Sequence, residues 1–202
     1  MHSHIDLVVG LGNPGPDYEH TRHNAGFWFV DAVAQSLGAT FKSVSRLHGL
    51  LAEVSFDSYR GRLFKPVTYM NRSGQAVVAI CKYYKISPQN VLVVHDDIDL
   101  PPGVVRLKQG GGDGGHNGLR DIISALGGER NFLRLRIGVG HPGHAQEVVD
   151  YVLHKPSRDD EEFIQDMIQD VVKHFPALVC GEIEKVMNQL HRKVKPSSPP
   201  IS

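Results

Sequence analysis

The sequence predicts an α/β fold: a single domain holding a mixed, twisted sheet covered by helices on both faces. Three observations carry that expectation. Strand-like and helix-like segments are intermixed along the chain, as in a sheet with helices on both faces. Residues 91–94, Val-Leu-Val-Val, form a continuous apolar run of the kind found in strands buried on both sides. Residues 50–56 and 62–67 read as two strands joined by a turn at 58–61, and that hairpin makes the sheet mixed rather than purely parallel.

Taken in order, a short apolar run at residues 5–11 ends in a Gly/Pro/Asn cluster, and a polar loop then delivers Arg22, His23 and Asn24. Residues 27–37 read as a helix closed by Gly38 as its C-cap. After the hairpin, the loop Pro-Val-Thr-Tyr-Met-Asn-Arg-Ser-Gly enters a helix from about Ser73 to Tyr84, with Val77, Ile80, Cys81 and Tyr84 on one face. The run at 91–94 ends in a polar mouth, His95-Asp96-Asp97-Ile98-Asp99. Residues 104–108 read as a strand, 110–115 as a glycine loop, the segment up to Leu126 as a helix, and 133–139 as a further strand. Ser157, with Asp160 three residues on, starts an amphipathic helix through Phe163, Met167, Val171 and Phe175. A shorter helix spans 181–191, and the Pro/Ser-rich residues 195–202 are expected to be disordered, leaving 1–194 as the domain.

Composition narrows the classes of function. The 202 residues, 41% hydrophobic and 22% charged, are ordinary for a globular domain with a real core. Cys81 and Cys180 suggest neither a disulfide framework nor a metal cluster, so a reducing compartment is expected. With no targeting signal and no membrane-span candidate, the expectation is a cytoplasmic protein that does not touch membrane. Net charge is zero, but residues 104–144 carry six Lys/Arg against three Asp/Glu while 145–184 carry three against ten. A local basic patch on a neutral chain fits a partner touched at a few phosphates, and equally fits ordinary surface patterning.

Residues 10–15, Gly-Leu-Gly-Asn-Pro-Gly, satisfy G-x-G-x-x-G after a strand. The dinucleotide reading fails on context. The turn leads into Pro16 and a polar stretch instead of opening a helix, and no second strand ending in Asp or Glu follows at about 20 residues. Instead, three post-strand loops, at 13–24, 69–71 and 95–99, with the glycine loop ending in His116-Asn117 as a fourth, offer histidine, carboxylate and asparagine. Such a set suits general-base activation of a water. The carboxylate orients the imidazole, and amides align water and carbonyl. That chemistry cleaves an activated acyl group more readily than a plain amide. His95 with Asp96, Asp97 and Asp99 is also compatible with a divalent ion, though no second His stands at ligand spacing nearby. Asn13, Asn71 and Asn117 are each equally readable as turn residues. Ser43, Ser45 and Ser73 lack a G-x-S-x-G context, which argues against a serine hydrolase.

The blocks GLGNPGPDYEHTRHNAG, PVTYMNRSG, HDDIDLPPG, GGGDGGHNGLRDI and RLRIGVGHP, in this order over residues 5–155, resemble the bacterial peptidyl-tRNA hydrolase family. The resemblance implies a monomer that hydrolyses the ester joining a peptide to tRNA, with no cofactor and no metal. It implies His23 as catalytic base and Asp96 as the carboxylate orienting it, a choice over Asp97 and Asp99 that the residues alone do not make. Asn13, Asn71 and Asn117 match the asparagines that position substrate and water. Tyr18, Met70 and His116 match other residues of the peptide and acceptor-end pocket. Lys108 and Arg136 match a basic pair that grips the tRNA 5′-phosphate. Asp113 departs from the family pattern, in which His, Ser or Asn is frequent. Two alternatives from other classes stand beside this reading: an RNA-binding module without activity, and a metal-dependent hydrolase built on His95 and the aspartates.

Overall fold

The computed structural model describes residues 4–191. Seven strands form one sheet in the order β2-β3-β4-β1-β5-β7-β6. They are β1 (Leu7–Gly10), β2 (Lys42–Val44), β3 (Gly49–Phe56), β4 (Tyr59–Pro66), β5 (Val91–Asp97), β6 (Val105–Gln109) and β7 (Leu133–Gly138). β4, β1, β5 and β7 run parallel; β3 on one side and β6 on the other run antiparallel to them, and β2 pairs antiparallel with β3 at the edge. The helices are α1 (Ala25–Leu37), α2 (Ser73–Tyr84), α3 (Asn117–Ala125), α4 (Val148–Val152), α5 (Arg158–Lys173), α6 (Phe175–Val179) and α7 (Ile183–His191).

The sheet separates two cores. Val8, Leu92, Val94, Leu135 and Ile137 pack against Phe29 and Val33 of α1, Ile164 and Ile168 of α5, Leu178 of α6 and Val186 of α7. Leu7, Val9, Val91 and Val93 pack on the opposite side against Val77 and Ile80 of α2 and Leu119 and Ile122 of α3. This is the two-faced α/β arrangement that the intermixed elements predicted. No helix among the described residues is long and apolar enough to cross a membrane.

Several local expectations need correction. The hairpin turn is Asp57-Ser58 rather than 58–61: Phe56 pairs with Tyr59, and Asp57 takes φ +46° to close the tighter turn. β5 continues through His95 and Asp96 to Asp97, because β7 offers these polar residues ladder partners at Arg136, Ile137 and Gly138. α1 begins at Ala25, two residues earlier than its apolar pattern suggested. Phe163 lies on the outside of α5 at 57% exposure, and Ile164, Ile168, Val171 and Val172 form the buried seam. Three-residue β2, mostly exposed, and five-residue α4 and α6 are too short to leave a periodic signal. Ser157 does cap α5, accepting from the Asp160 backbone N–H at 3.2 Å. The expected disordered tail at 195–202 lies outside the described residues.

Candidate active site

The carboxyl ends of β4, β1, β5 and β7 share one edge, and β1 is the switch point: the sheet grows first toward β4 and then, through α2, toward β5. Open α/β sheets bind ligands at such a crevice. Two glycines let α1 lie directly on it. A Cβ on Gly26 would sit 2.3 Å from the Val94 carbonyl oxygen, and one on Gly10 would sit 2.3 Å from the Gly26 carbonyl oxygen. The chain therefore turns into α1 in contact with the ends of β1 and β5, through a one-turn 3-10 segment, Arg22–Asn24, whose middle residue is His23.

His23 Nδ1 lies 3.0 and 2.9 Å from the two oxygens of Asp96, and both residues are buried. Asp96 Oδ1 also meets His116 Nε2 at 2.8 Å. The hydrogen-bond pattern assigns both tautomers. His116 Nδ1 accepts from the backbone N–H groups of Gly118 and Leu119, capping α3, so its ring proton resides on Nε2 and is donated to Asp96. His23 donates from Nδ1, which leaves Nε2 as a lone pair in the cavity that His23 lines. Strand alternation selects the aspartate: successive β5 residues point to opposite faces, so Asp96 meets the imidazoles while Asp97 accepts from Arg136 Nε at 2.7 Å.

Burial alone would push the His23 pKa down, but the Asp96 charge and hydrogen bond outweigh it and raise it above the ordinary 6.5. Burial would raise Asp96, yet the two imidazoles hold its carboxyl far below the usual carboxylate range. His95, next on the strand, is different. Burial, reinforced by the neighbouring His116 ring, lowers its pKa, and its Nδ1 meets the Asp96 carbonyl oxygen at 2.7 Å while Nε2 is buried without a partner.

The cavity around these groups measures about 790 Å³ and is lined by Asn13, Met70, Asn71, Asn117, Lys108 and Arg136, among others. Asn13 is clamped: its backbone N–H donates to Asn24 Oδ1 at 2.8 Å, Asn24 Nδ2 donates to its carbonyl at 3.0 Å, and its own Oδ1 accepts from the Met70 N–H at 2.7 Å. That leaves the Asn13 Nδ2 donor for a ligand. Asn71 and Asn117 are exposed at the cavity wall. Tyr18 is not part of the lining; its ring meets the edge of Tyr69, 6.3 Å between centroids, and Tyr69 does line the cavity.

At the β6–β7 end the lining is cationic. Lys108 pairs in register with Arg134, and Arg136 lies two residues along β7. Arg136 spends only Nε on Asp97, whereas Arg134 is buried and donates to the carbonyls of Gly111 and Gly112, so it holds the glycine loop. Asp113 braces the same loop, accepting from the Gly115 N–H at 2.8 Å and pairing with Arg120 at 3.5 Å. Val148, Val149, Val152 and Leu153 form an apolar wall. Arg22 anchors that wall by donating to the carbonyls of Tyr151 and His154. Arg22 and Asn24 were read from sequence only as the polar-loop neighbours of His23, and Arg134 only as one of the basic residues of 104–144; their contacts, and the α4 wall, were not visible there.

The aspartate-rich mouth does not form a shared ligand set, since Asp96 and Asp97 face opposite ways. Among the described residues, the group whose ligand atoms do converge, within 4.8 Å of one another, is His23, Asp96 and His116. A cation there would have to displace the two imidazole protons already donated to Asp96. The Gly10-x-Gly12 segment opens no helix, α1 starting only at Ala25, so the dinucleotide geometry is not formed.

A family model described as peptidyl-tRNA hydrolase matches residues 7–198. The chain is 53% identical over 189 residues to the peptidyl-tRNA hydrolase of Saccharophagus degradans, spanning 94% of this chain and 96% of that one. It is 52% identical over 194 residues to the peptidyl-tRNA hydrolase of Bordetella avium, spanning 95% and 93%. The crystal structure of peptidyl-tRNA hydrolase from Acinetobacter baumannii superimposes with a TM-score of 0.90 at 46% identity, covering 94% of this chain and 96% of that chain.

Proposed function

The chain belongs to the peptidyl-tRNA hydrolase family and hydrolyses peptidyl-tRNA, and we propose that it does so with a water activated by His23. The observation that carries this reading is the double hold on Asp96, which leaves His23 Nε2 as the one cavity-facing lone pair of the pair. The water gives a proton to Nε2 as its oxygen bonds to the ester carbonyl, and the imidazolium that forms is stabilised by Asp96. The developing oxyanion accepts from side-chain amides, with Asn13 Nδ2 held for that purpose and Asn71 and Asn117 at the rim. When the tetrahedral intermediate collapses, the ribose oxygen of the tRNA end leaves and takes the proton back from Nε2. Peptide acid and free tRNA are the products.

In this reading Met70 places Asn13 through its N–H, Tyr18 buttresses Tyr69, and His116 fixes Asp96. Lys108 and the free guanidinium nitrogens of Arg136 receive the 5′-phosphate of the acceptor end. Residues 1–194 work as one catalytic domain, as a monomer in the cytoplasm, with no cofactor. An uncharged amide lining favours a peptide amide over a free α-ammonium group, which would lose a hydrogen bond and be desolvated. The test is acyl release from N-acetylaminoacyl-tRNA and from aminoacyl-tRNA, with and without EDTA. Cleavage of the first alone, unaffected by chelation, is expected. Loss of cleavage in EDTA with rescue by a divalent ion would instead favour a metal at His23, Asp96 and His116.

A further inference from the structure

A second groove, about 760 Å³, opens on the other side of Asn13, and Asn13 lines both. Phe27 and Trp28 of α1 and Val67 beyond β4 give it apolar ground, while Gln165 and Gln169, one turn apart on α5, present side-chain amides. Its charge is opposite to that of the β6–β7 end of the catalytic cavity. Glu19, Asp31 and Glu161 face it, and its single lysine, Lys65, is already paired with Asp31 at 2.5 Å. At the far end of the first cavity stand Lys108, Arg134 and Arg136.

We infer that this groove is a subsite for the peptide of the substrate beyond the residue esterified to tRNA, with a preference for apolar and basic side chains. The inference rests on the proposed function and deepens it. A substrate whose ester lies at His23 has two arms. The phosphate-bearing arm is attracted to the cationic end and repelled by the Glu19 and Glu161 carboxylates, so the peptide arm takes the Asn13 side. Gln165 and Gln169 each supply a donor and an acceptor, the pair that an extended backbone amide needs. Trp28 is held in place by its Nε1 donating to the Glu19 carbonyl at 2.9 Å, so it offers a fixed ring face rather than a mobile one.

The experiment compares kcat/KM for N-acetylaminoacyl-tRNA with that for two pentapeptidyl-tRNAs differing only in Lys or Glu at the residues farthest from the ester. The proteins are wild type and the double variant Glu19→Lys, Glu161→Lys. Wild type is expected to prefer the Lys peptide by about 2- to 10-fold at low salt, the scale of a few screened surface pairs. The double variant is expected to reverse that order. Trp28→Ala should lower the ratio of pentapeptidyl to N-acetylaminoacyl rates. Cleavage of N-acetylaminoacyl-tRNA with no Lys/Glu preference in either protein overturns the groove and leaves the proposed function standing. Failure of wild type to cleave any of the three overturns both.

Discussion

His116 donates from Nε2 to Asp96 Oδ1 at 2.8 Å while its Nδ1 caps the first turn of α3. The helix that follows the glycine loop is thereby coupled to the carboxylate that orients His23. Replacing His116 with Ala removes a charge-assisted bond and a cap together, a loss of about 1–3 kcal/mol in stability. Because the ring touches Asp96, kcat should fall more than KM rises. A change confined to KM in steady-state assays would return His116 to the substrate-contact role that the family resemblance implied.

Substituting His23, the proposed base, should be more severe. His23→Ala is expected to lower kcat by about 10²–10⁴, the usual yield of a general base, with tRNA affinity nearly intact. Asp96→Asn should also slow turnover, since the imidazole loses its orienting charge. Single-turnover rates alongside filter-binding affinities separate chemistry from binding. Near-wild-type rates in His23→Ala would exclude this residue.

The raised His23 pKa sets the direction of two pH effects. As the proposed base, His23 must be neutral, so kcat/KM should rise with pH through an apparent pKa above 6.5. In Asp96→Asn that limb should move down, because burial then acts without the opposing charge. Stability runs the other way. The His23–Asp96 attraction is fully present below the unfolded value of 6.5 and is lost as pH rises through the raised folded value. The Tm gap between wild type and Asp96→Asn should therefore narrow toward alkaline pH. A pH-independent gap in thermal melts would contradict the assignment.

The proposed phosphate grip is testable through Lys108 and Arg136. Each charge-assisted contact is worth roughly 1.5–3 kcal/mol, so either alanine variant should lose about 10- to 100-fold in kcat/KM, mostly through KM. Arg136 is also bound to Asp97, so its loss alone would not prove phosphate contact. Substrate with and without its 5′-phosphate resolves this in a double-mutant cycle. If removing the phosphate costs variant and wild type equally, neither residue reads it.

Gly26 offers a control on architecture. A Cβ there would meet Val94 O at 2.3 Å and Leu11 N at 2.4 Å, both backbone atoms that cannot swing aside. Gly26→Ala should destabilise by about 1–3 kcal/mol, as overpacking does, and should lower kcat by shifting His23 away from Asp96. Unchanged melting and turnover would show that α1 does not need this close approach.

Alternation and periodicity, with glycine and serine at helix ends, are local, so the α/β class, the six longer strands and the main helices were legible in the chain alone. Gly38 at φ +65° and Ser157 bonded to the Asp160 N–H sit where they were expected. The loops bearing His23, Met70, Asn71 and His116 were legible too, as polar stretches directly after strands. The choice among Asp96, Asp97 and Asp99 belonged to the tertiary structure, because it depends on pairing. Only when β7 extends β5 by three residues does the strand alternation turn Asp96 toward His23 and Asp97 toward Arg136. The same holds for His116 and Arg134. One ties α3 to the carboxylate and the other ties the glycine loop to the sheet, through partners 20 and 22–23 residues away. Such roles are set by which elements pack together, and no window of sequence contains that information.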